Sequence, residues 1–264
     1  MSVNRETPTW NDLIDAPWDR AALEAQLRDK GRTYHDKHPF HRAMNDGLLT
    51  RAQIRGWVAN RFHYQRNIPI KDAAILSNCP DHEVRRSWVR RILIHDGQGP
   101  GEGGIEAWLR LGKAVGLARE DLLDERLVVS GVRSAVESYV RLARDEPWPV
   151  AVASSLTELF APDLMAERIR AFERYYPWVP DWGLDYFRGR LVQARVDSDE
   201  GLELTLSRCT TRALQERAVA ALEQKCRILW LMLDAIMAAY GAGPAKDPLA
   251  VDDGPASGRG GGLP

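Results

Sequence analysis

The chain has 264 residues, of which 44% are hydrophobic, so it is long enough to bury the core of one large domain or two small ones. Its formal charge of −1 excludes a global attraction to nucleic acid or anionic membranes, and any cationic region must be local. The N-terminus has no apolar signal segment, no stretch approaches roughly 18 uninterrupted apolar residues, and the three cysteines form no CxxC pair, which together indicate a cytoplasmic protein with reduced thiols.

Helical periodicity dominates the chain. Asp19, Thr50 and Asp81 are well placed to cap helices, Gly116 to end one, and Pro69 should kink or restart the helix in which it lies. The predicted helical segments cover about 19–29, 50–78, 81–95, 105–115, 119–126, 131–145, 149–161, 163–175, 181–197 and 202–240, with a break in the last near residue 210. No period-2 strand of useful length appears. The sequence therefore predicts an all-α protein of seven to nine helices.

Three segments differ in composition. An N-terminal arm covers residues 1–18, and the helical domain covers 19–240. In residues 241–264, eleven of the 24 residues are Gly or Pro and none is aromatic. Such a composition cannot bury a core, so we expect a flexible linker, either a frayed terminus or the start of a connection to a downstream module.

Several cationic side chains fall on apolar helix faces. In the stretch WVANRFHYQ, Arg61 and Gln65 lie within about 20° of the centre of the face marked by Ile54, Trp57 and Val58. Burying an unpaired guanidinium on such a face costs on the order of several kcal/mol of stability, so the pattern predicts an anionic partner.

The pattern recurs in other helices. Arg91 and His95 follow Val84 and Trp88 at the same spacing, Lys225 lies on the apolar face of the C-terminal helix, and Tyr139 lies on that of helix 131–145. A structural ion pair or a snorkelling side chain would explain any one of these residues alone.

The cations outnumber the obvious buried anions. Glu158 is the only charged residue between Glu146 and Asp163, and one carboxylate cannot neutralise Arg61, Arg91 and Lys225 together. The surplus predicts a pocket for a small polyanionic ligand that carries carboxylates or phosphates.

Metal and nucleophile signals are weaker. His35, His38 and His41 are spaced by three residues, but HPFH contains a proline and no HExxH motif accompanies it, so loop and capping roles are favoured and no metal site is predicted. Cys209 and Cys226 have no activating neighbour in the sequence, which argues against thiaminase-like hydrolysis.

Four motifs in order carry a family resemblance. The stretches WVANRFHYQRNIPIKDAAILSNCPD, RRILIHDG with GGIEAWLRLG, SSLTELFAP, and YYPW with YFRGRL are similar to those of the pyrroloquinoline-quinone synthase family, and the resemblance covers about residues 20–240. It implies a compact haem-oxygenase-like fold and a homodimer. Some members are fused at the C-terminus to a small peptide-chaperone domain, which would explain the linker.

The resemblance also implies an activity. These enzymes are cofactorless oxidases: a bicyclic amino-quinone precursor with several carboxylates closes its last ring and loses eight electrons to O2, with release of H2O2. Carried over to this chain, His95 would be the principal base and proton donor, helped by Tyr186 and Arg190. The residues implied to bind substrate are His35, Arg61, Gln65, Arg91, Tyr139, Glu158, Arg168 and Lys225.

One residue departs from the family pattern. Met165 stands where the family has a second active-site histidine, and a thioether cannot shuttle protons. The alternative function is a non-catalytic carrier of a quinone or another anion on the same fold.

Overall fold

The computed structural model describes residues 16–241, apart from the side chains of residues 192 and 194–196. Most of the predicted arm (1–18) and nearly all of the predicted linker (241–264) lie outside the described residues. The α-helices are α1 Arg20–Asp29, α2 Pro39–Asn45, α3 Arg51–Asn78, α4 His82–Asp96, α5 Gly103–Ala114, α6 Arg119–Leu123, α7 Ser130–Asp145, α8 Trp148–Ala153, α9 Ala161–Tyr175, α10 Asp185–Arg208 and α11 Arg212–Tyr240. Short 3-10 helices cover Lys30–Thr33, His35–Lys37, Ser154–Phe160 and Asp181–Leu184.

The all-α prediction is confirmed, since no strand occurs within residues 16–241. The helices number eleven there rather than seven to nine: α2 lies in a stretch with no predicted helix, and α8 is the first part of the single helix predicted over 149–161. Among these same residues no helix has the length and apolar composition needed to cross a bilayer.

The predicted helix starts are confirmed by side-chain caps. The Asp19 carboxylate accepts a hydrogen bond from the Ala22 amide, and the Asp81 carboxylate accepts from two amides in the first turn of α4. Thr50 and Gln53 form a reciprocal capping box at the start of α3. These caps satisfy amide groups that the helix itself leaves without partners.

The predicted restart at Pro69 and the predicted gap at 197–202 are both wrong. Helix α3 continues through the buried Pro69, whose missing N–H leaves the carbonyl of Gln65 without its usual helical donor. Helix α10 runs unbroken from Asp185 to Arg208, although the polar run at 197–202 suggested a gap. Asp197 and Ser198 in that run are buried, so the polar residues face the interior of the protein. The predicted break near residue 210 is confirmed between α10 and α11.

The segment that carries Glu158 differs from the prediction of a single helix over 149–161. After α8 the chain tightens into a seven-residue 3-10 helix, Ser154–Phe160, and α9 then begins at Ala161. Such runs rarely exceed three or four residues, and longer ones often mark functional segments.

Helix α3 is the central element. It packs against α4, α5 and α7, and α7 in turn packs against α11, while α9 and α10 form a pair across the molecule. A single large apolar cluster joins these helices around Trp57, Trp108, Phe172 and Phe187. A buried polar pocket adjoins this cluster, where α3, α4, α9 and α10 converge with the Ser154–Phe160 segment.

Candidate active site

A pocket in the helical domain collects most of the predicted site residues. Helix α3 supplies one side of it, and the other sides come from α4, α5, α7, α9, α10, α11 and the Ser154–Phe160 segment. The lining residues are Tyr34, Arg61, Tyr64, Gln65, Ile68, Lys71, His95, Trp108, Tyr139, Ser155, Thr157, Glu158, Ala161, Met165, Arg168, Tyr186, Arg190 and Leu229.

Eight of the eleven residues singled out from the sequence line this pocket, and three lie behind its wall. The lining eight are Arg61, Gln65, His95, Tyr139, Glu158, Arg168, Tyr186 and Arg190. His35 packs edge-on against the Tyr34 ring, with centroids 4.4 Å apart. Lys225 lies behind Tyr64 and Tyr139, and Arg91 lies behind Glu158. Met165 lines the pocket, as its place in the motif suggested.

Arg91 is surrounded by carboxylates. Its guanidinium pairs closely with Glu158, lies 3.6 Å from an Asp197 oxygen and 3.9 Å from an Asp72 oxygen, and stacks on Trp88. Arg190 binds the same Asp197 at 3.1 Å and Glu158 at 3.4 Å. The expectation that Glu158 alone faces the buried cations is therefore wrong, because Asp72 and Asp197 share that role.

The charged groups of this network shift one another's pKa values. Burial alone would lower the pKa of Arg91, but Glu158, Asp72 and Asp197 together raise it. Burial alone would raise the pKa of Glu158, but Arg91 and Arg190 hold it below its usual value. Burial and the negative charge of Glu158 raise the pKa of Asp197. The network keeps Glu158 ionised beside the pocket.

Lys71 was missed by the sequence analysis, although it lines the pocket. Its ammonium group donates to Asp72 at 2.6 Å and to Ser155 at 2.9 Å, and Trp88 donates to the same Asp72 oxygen at 2.9 Å. Asp72 stands eleven residues after Arg61, on the continuation of the stripe that holds Arg61 and Gln65. Lys71 precedes Asp72 by one residue and so points about 100° away from that stripe, where helical periodicity alone does not predict a pocket side chain.

Three buried or half-buried cations have no carboxylate partner among the described residues. Lys71, Arg91 and Arg190 are balanced by Asp72, Glu158 and Asp197. No ion pair joins Arg61, Arg168 or Lys225 to a carboxylate within residues 16–241; Arg61 lies over the Tyr64 ring, 4.0 Å from its centre. Cations without a carboxylate partner therefore remain at this part of the site, but the predicted set was wrong in one member, since Arg91 is paired.

His95 lies at the other end of the pocket, in the last turn of α4, and the glycine-rich segment 97–104 follows it in the chain. His95 is 4% exposed, and its Nδ1 is buried without a hydrogen-bond partner. A side chain on Gly104 would come within 3.2 Å of that nitrogen, so the first turn of α5 packs directly on the ring. Burial, assisted by Arg190, Lys71 and Arg91, holds the pKa of His95 well below its usual value, and the imidazole is neutral at neutral pH.

Tyr186 and Gln65 connect the two halves of the pocket. The Tyr186 hydroxyl donates to the Gln65 side-chain oxygen at 2.8 Å, and the Tyr186 ring packs edge-on against Trp108. Burial raises the pKa of Tyr186, and Arg190 and Arg61 only partly oppose it. Its phenol is therefore a protonated hydrogen-bond donor at neutral pH.

The histidine-rich segment has the capping role expected from the sequence. His38 accepts a hydrogen bond from the Phe40 amide at the start of α2 and binds Asp234. Within residues 16–241 no group of three or more His, Cys, Asp or Glu side chains is arranged to hold a metal ion. Cys79, Cys209 and Cys226 are buried free thiols, and burial raises the pKa of each.

The arrangement suits acid–base and electrostatic chemistry on an anionic ligand. Surplus cations attract a polyanion, a neutral imidazole can accept or return a proton, and the phenol and guanidinium of Tyr186 and Arg190 can stabilise negative charge that develops on an oxygen.

Comparison with known proteins agrees with this picture. Residues 24–235 match the model of the TENA/THI-4/PQQC family. The chain is 58% identical over 226 residues to a protein from Pseudomonas aeruginosa named pyrroloquinoline-quinone synthase, covering 85% of this chain and 90% of that one. It is 57% identical over 218 residues to a protein of the same name from Cronobacter sakazakii, covering 83% and 87%.

Solved structures confirm the haem-oxygenase-like fold. A domain of unknown function with a haem-oxygenase-like fold from Shewanella denitrificans superposes with a TM-score of 0.71 at 15% identity, over 88% of this chain and 99% of that one. A TenA homologue from Pseudomonas syringae pv. tomato gives a TM-score of 0.67, also at 15% identity, over 83% and 92%.

Proposed function

This chain belongs to the TENA/THI-4/PQQC family, and we propose that it is a pyrroloquinoline-quinone synthase, the oxidase that completes the biosynthesis of that quinone. The substrate is the bicyclic amino-quinone precursor with several carboxylates, and O2 is the electron acceptor. The observation that carries the proposal is the pocket itself, in which Arg61 and Arg168 have no carboxylate partner among the described residues and lie in one site with a neutral, buried histidine. The identity to named synthases over most of the chain supports the same assignment.

The unmatched cations bind the carboxylates of the substrate. Arg61 and Arg168 line the pocket and provide guanidinium groups that can form paired hydrogen bonds to a carboxylate. Lys225 acts through Tyr64, whose hydroxyl is 2.8 Å from its amine. Gln65 and Tyr139 contact the ring system, and Glu158 accepts hydrogen bonds from its N–H groups.

Two predicted substrate ligands support the site from behind the wall. Arg91 holds Glu158 in place as an ionised acceptor, and His35 packs beneath Tyr34. Both reach the substrate only through the residue that they contact.

His95, Tyr186 and Arg190 carry the oxidation. His95 removes a proton from the quinol form of the ring, which makes an electron-rich anion. That anion passes two electrons to O2 in each oxidation, and two protons complete H2O2. Tyr186 and Arg190 stabilise the charge that develops on oxygen, and the histidinium returns its proton to the reduced oxygen. With Met165 in the pocket, a neighbouring group or water must supply the proton that a second histidine would deliver.

Association with other chains belongs to the same proposal. We expect a homodimer in the cytoplasm, and a small peptide-chaperone domain of the same pathway as its partner, either separate or fused after the linker. Light scattering of the purified protein tests the dimer.

The activity test is direct. The protein is mixed with the amino-quinone precursor in air, and product absorbance and H2O2 are followed together. Formation of both supports the oxidase, whereas tight product binding without turnover would support the alternative, a quinone carrier, which the methionine at 165 favours. Failure to bind either the precursor or the quinone would contradict both.

A further inference from the structure

Arg168 is a buried cation that keeps its whole charge. Its side chain is 3% exposed and lines the pocket, yet no ion pair joins it to a carboxylate among the described residues. The guanidinium lies over Trp57, 4.9 Å from the ring centre, and 5.6 Å from that of Phe187. Burial, and then the positive charge of Arg61, lower its pKa to about 10, so it stays protonated at neutral pH.

The side chain that holds Arg168 is an imidazole. Nη2 of Arg168 lies 3.1 Å from Nε2 of His41, and because a guanidinium has only donors, this Nε2 must be the accepting, unprotonated nitrogen. Nδ1 of His41 lies 2.9 Å from the backbone oxygen of His35 and 3.1 Å from Nδ1 of His35. The backbone oxygen only accepts, so the His41 proton is on Nδ1, and Nδ1 of His35 can only accept from it. Both nitrogens of His41 are thus assigned, and the ring is neutral.

The contrast with Arg91 shows what this arrangement achieves. Arg91 is fixed by Glu158, Asp197 and Asp72, and these carboxylates cancel its charge. A carboxylate at position 41 would hold Arg168 as firmly but would cancel its charge in the same way. A neutral acceptor fixes the direction of the guanidinium and leaves the charge uncompensated.

We propose that His41 is a positioning residue for ligand binding: as a neutral acceptor it directs Arg168 into the pocket and leaves its charge free for an anionic group of the ligand. The inference deepens the proposed function and rests on it for the identity of the ligand, an aromatic polycarboxylate. His41 itself does not line the pocket and acts only through Arg168. Its burial, with Arg168 and Arg61 nearby, lowers the pKa of His41 well below the usual value and is consistent with a neutral ring.

Three substitutions separate positioning from simple packing. His41→Gln keeps a neutral acceptor near Nε2, His41→Glu offers a charged one, and His41→Leu offers none. Affinity for pyrroloquinoline quinone is measured by fluorescence titration and stability by thermal unfolding. We expect His41→Gln to bind within about threefold of the wild type, and His41→Leu and His41→Glu to bind roughly 10- to 100-fold more weakly, the range for loss of a charged hydrogen bond.

The glutamate variant is the decisive one. A new ion pair with Arg168 should keep its melting temperature at or above that of His41→Leu while its affinity falls. If His41→Glu binds as tightly as the wild type, or if all three variants lose affinity in proportion to their loss of stability, His41 only packs the core and the proposal is overturned. His38→Gln, which replaces a buried histidine of the same segment outside the pocket lining, is the matched control and should leave affinity unchanged.

A double-mutant cycle tests whether the effect passes through Arg168. In an Arg168→Met background, His41→Glu should produce no further loss of affinity, since the group on which it acts is gone. A full additional loss would show that His41 affects the ligand by another route and would overturn the proposal.

Two measurements distinguish this inference from the proposed function. The ¹⁵N NMR spectrum of unliganded protein at pH 7.5 should show the proton of His41 on Nδ1; a proton on Nε2, or an imidazolium, overturns the inference whatever the protein binds. All titrations are repeated with benzene-1,3,5-tricarboxylate. If only this probe binds, the proposed function fails and the variants still test the inference; if neither probe binds the wild type, both fail.

Discussion

The amine of Lys225 lies 2.8 Å from the hydroxyl of Tyr64, and this tyrosine separates it from the pocket. The same amine lies 3.2 Å from the centre of the Tyr139 ring. Burial, and the positive charges of Arg61 and Lys71, lower the pKa of Lys225 well below its usual value. The unliganded protein therefore carries a lysine that is costly to keep charged, in a place where an anionic ligand would stabilise the charge.

Lys225→Met should make the protein more stable and weaken its binding of the ligand. Replacing a buried amine that has no carboxylate partner by an apolar side chain of similar length is expected to raise the free energy of unfolding by about 1–3 kcal/mol. The same change should weaken binding of pyrroloquinoline quinone by about 1.5–3 kcal/mol, because a charged group that serves the ligand is lost. Denaturant unfolding and fluorescence titration measure the two effects.

The pH dependence of stability gives a second readout for Lys225. The unfolded lysine binds a proton that the folded one resists, so the wild type should gain stability as pH rises from 7 towards about 10. Lys225→Met should lack this part of the gain. If the stability of the two proteins depends on pH in the same way, and Lys225→Met binds the quinone as tightly as the wild type, the role given to Lys225 is contradicted.

The parts of the structure that depend on local sequence were predictable. The caps at Asp19, Thr50 and Asp81 follow from side chains that lie within three residues of the amides they bind. The inward direction of Arg61 and His95 follows from a helical period that needs no knowledge of the partner helix.

The parts that depend on tertiary pairing were not predictable from one sequence. Asp197 looks like a solvated residue in a charged run until Arg91, 106 positions earlier, is placed against it. Arg168 and His41 are 127 positions apart, and neither carries a local sign of the other. Pro69 suggested a kink or a restart of the helix, because the sequence alone does not show that α4 and α7 both pack against α3 and stabilise it on either side of the proline.

Substitutions of Arg61 and Arg91 should have different effects, one on ligand binding and the other on stability. Arg91 sits among three carboxylates, so Arg91→Ala leaves buried charges unpaired and should cost about 3–5 kcal/mol of stability. Arg61 has no carboxylate partner within residues 16–241, so Arg61→Ala should change stability little and weaken product binding by about 1.5–3 kcal/mol. Denaturant unfolding and product titration of both variants decide.

Arg90→Ala is the control for this pair. Arg90 neighbours Arg91 in the chain, but its side chain is 69% exposed, so its loss should affect neither stability nor binding. If Arg61→Ala unfolds the protein and binds normally, the surplus charge at Arg61 is a structural feature and not part of a ligand site.

His95→Asn should separate binding from oxidation. The variant keeps a polar side chain of similar size but cannot titrate, so substrate binding should stay near normal while the quinol-to-quinone step slows by roughly 10²–10⁴. A ring-closed intermediate should then accumulate. Stopped-flow absorbance without and then with O2 resolves the two steps, and oxidation at the wild-type rate would remove His95 from the mechanism.

The glycine next to His95 offers an independent check. Gly104→Ala places a methyl group 3.2 Å from Nδ1 of His95 and should displace the ring, which slows oxidation with little change in stability. Gly189→Ala on α10 meets nothing within 4 Å and should leave the rate unchanged. Equal rates in both variants would show that the ring has room to move without loss of function.

Acid should unfold this protein through its buried histidines. His35, His41 and His95 each have a pKa held well below the usual value, first of all by burial. In the unfolded protein these histidines take up protons at about pH 6.5, whereas in the folded protein they do not. Their contribution to the free energy of unfolding is therefore complete above that pH and falls as the pH drops. Three protons correspond to a limiting slope of about 4 kcal/mol per pH unit, and His41→Gln should reduce it by about one third. Denaturant unfolding between pH 7.5 and 5 measures the slope, with His82→Gln as the control, because that side chain is 69% exposed and should not affect it.

A wild-type slope that His41→Gln leaves unchanged would mean that the folded protein already binds a proton at His41. That result would contradict the neutral ring that its two hydrogen bonds require.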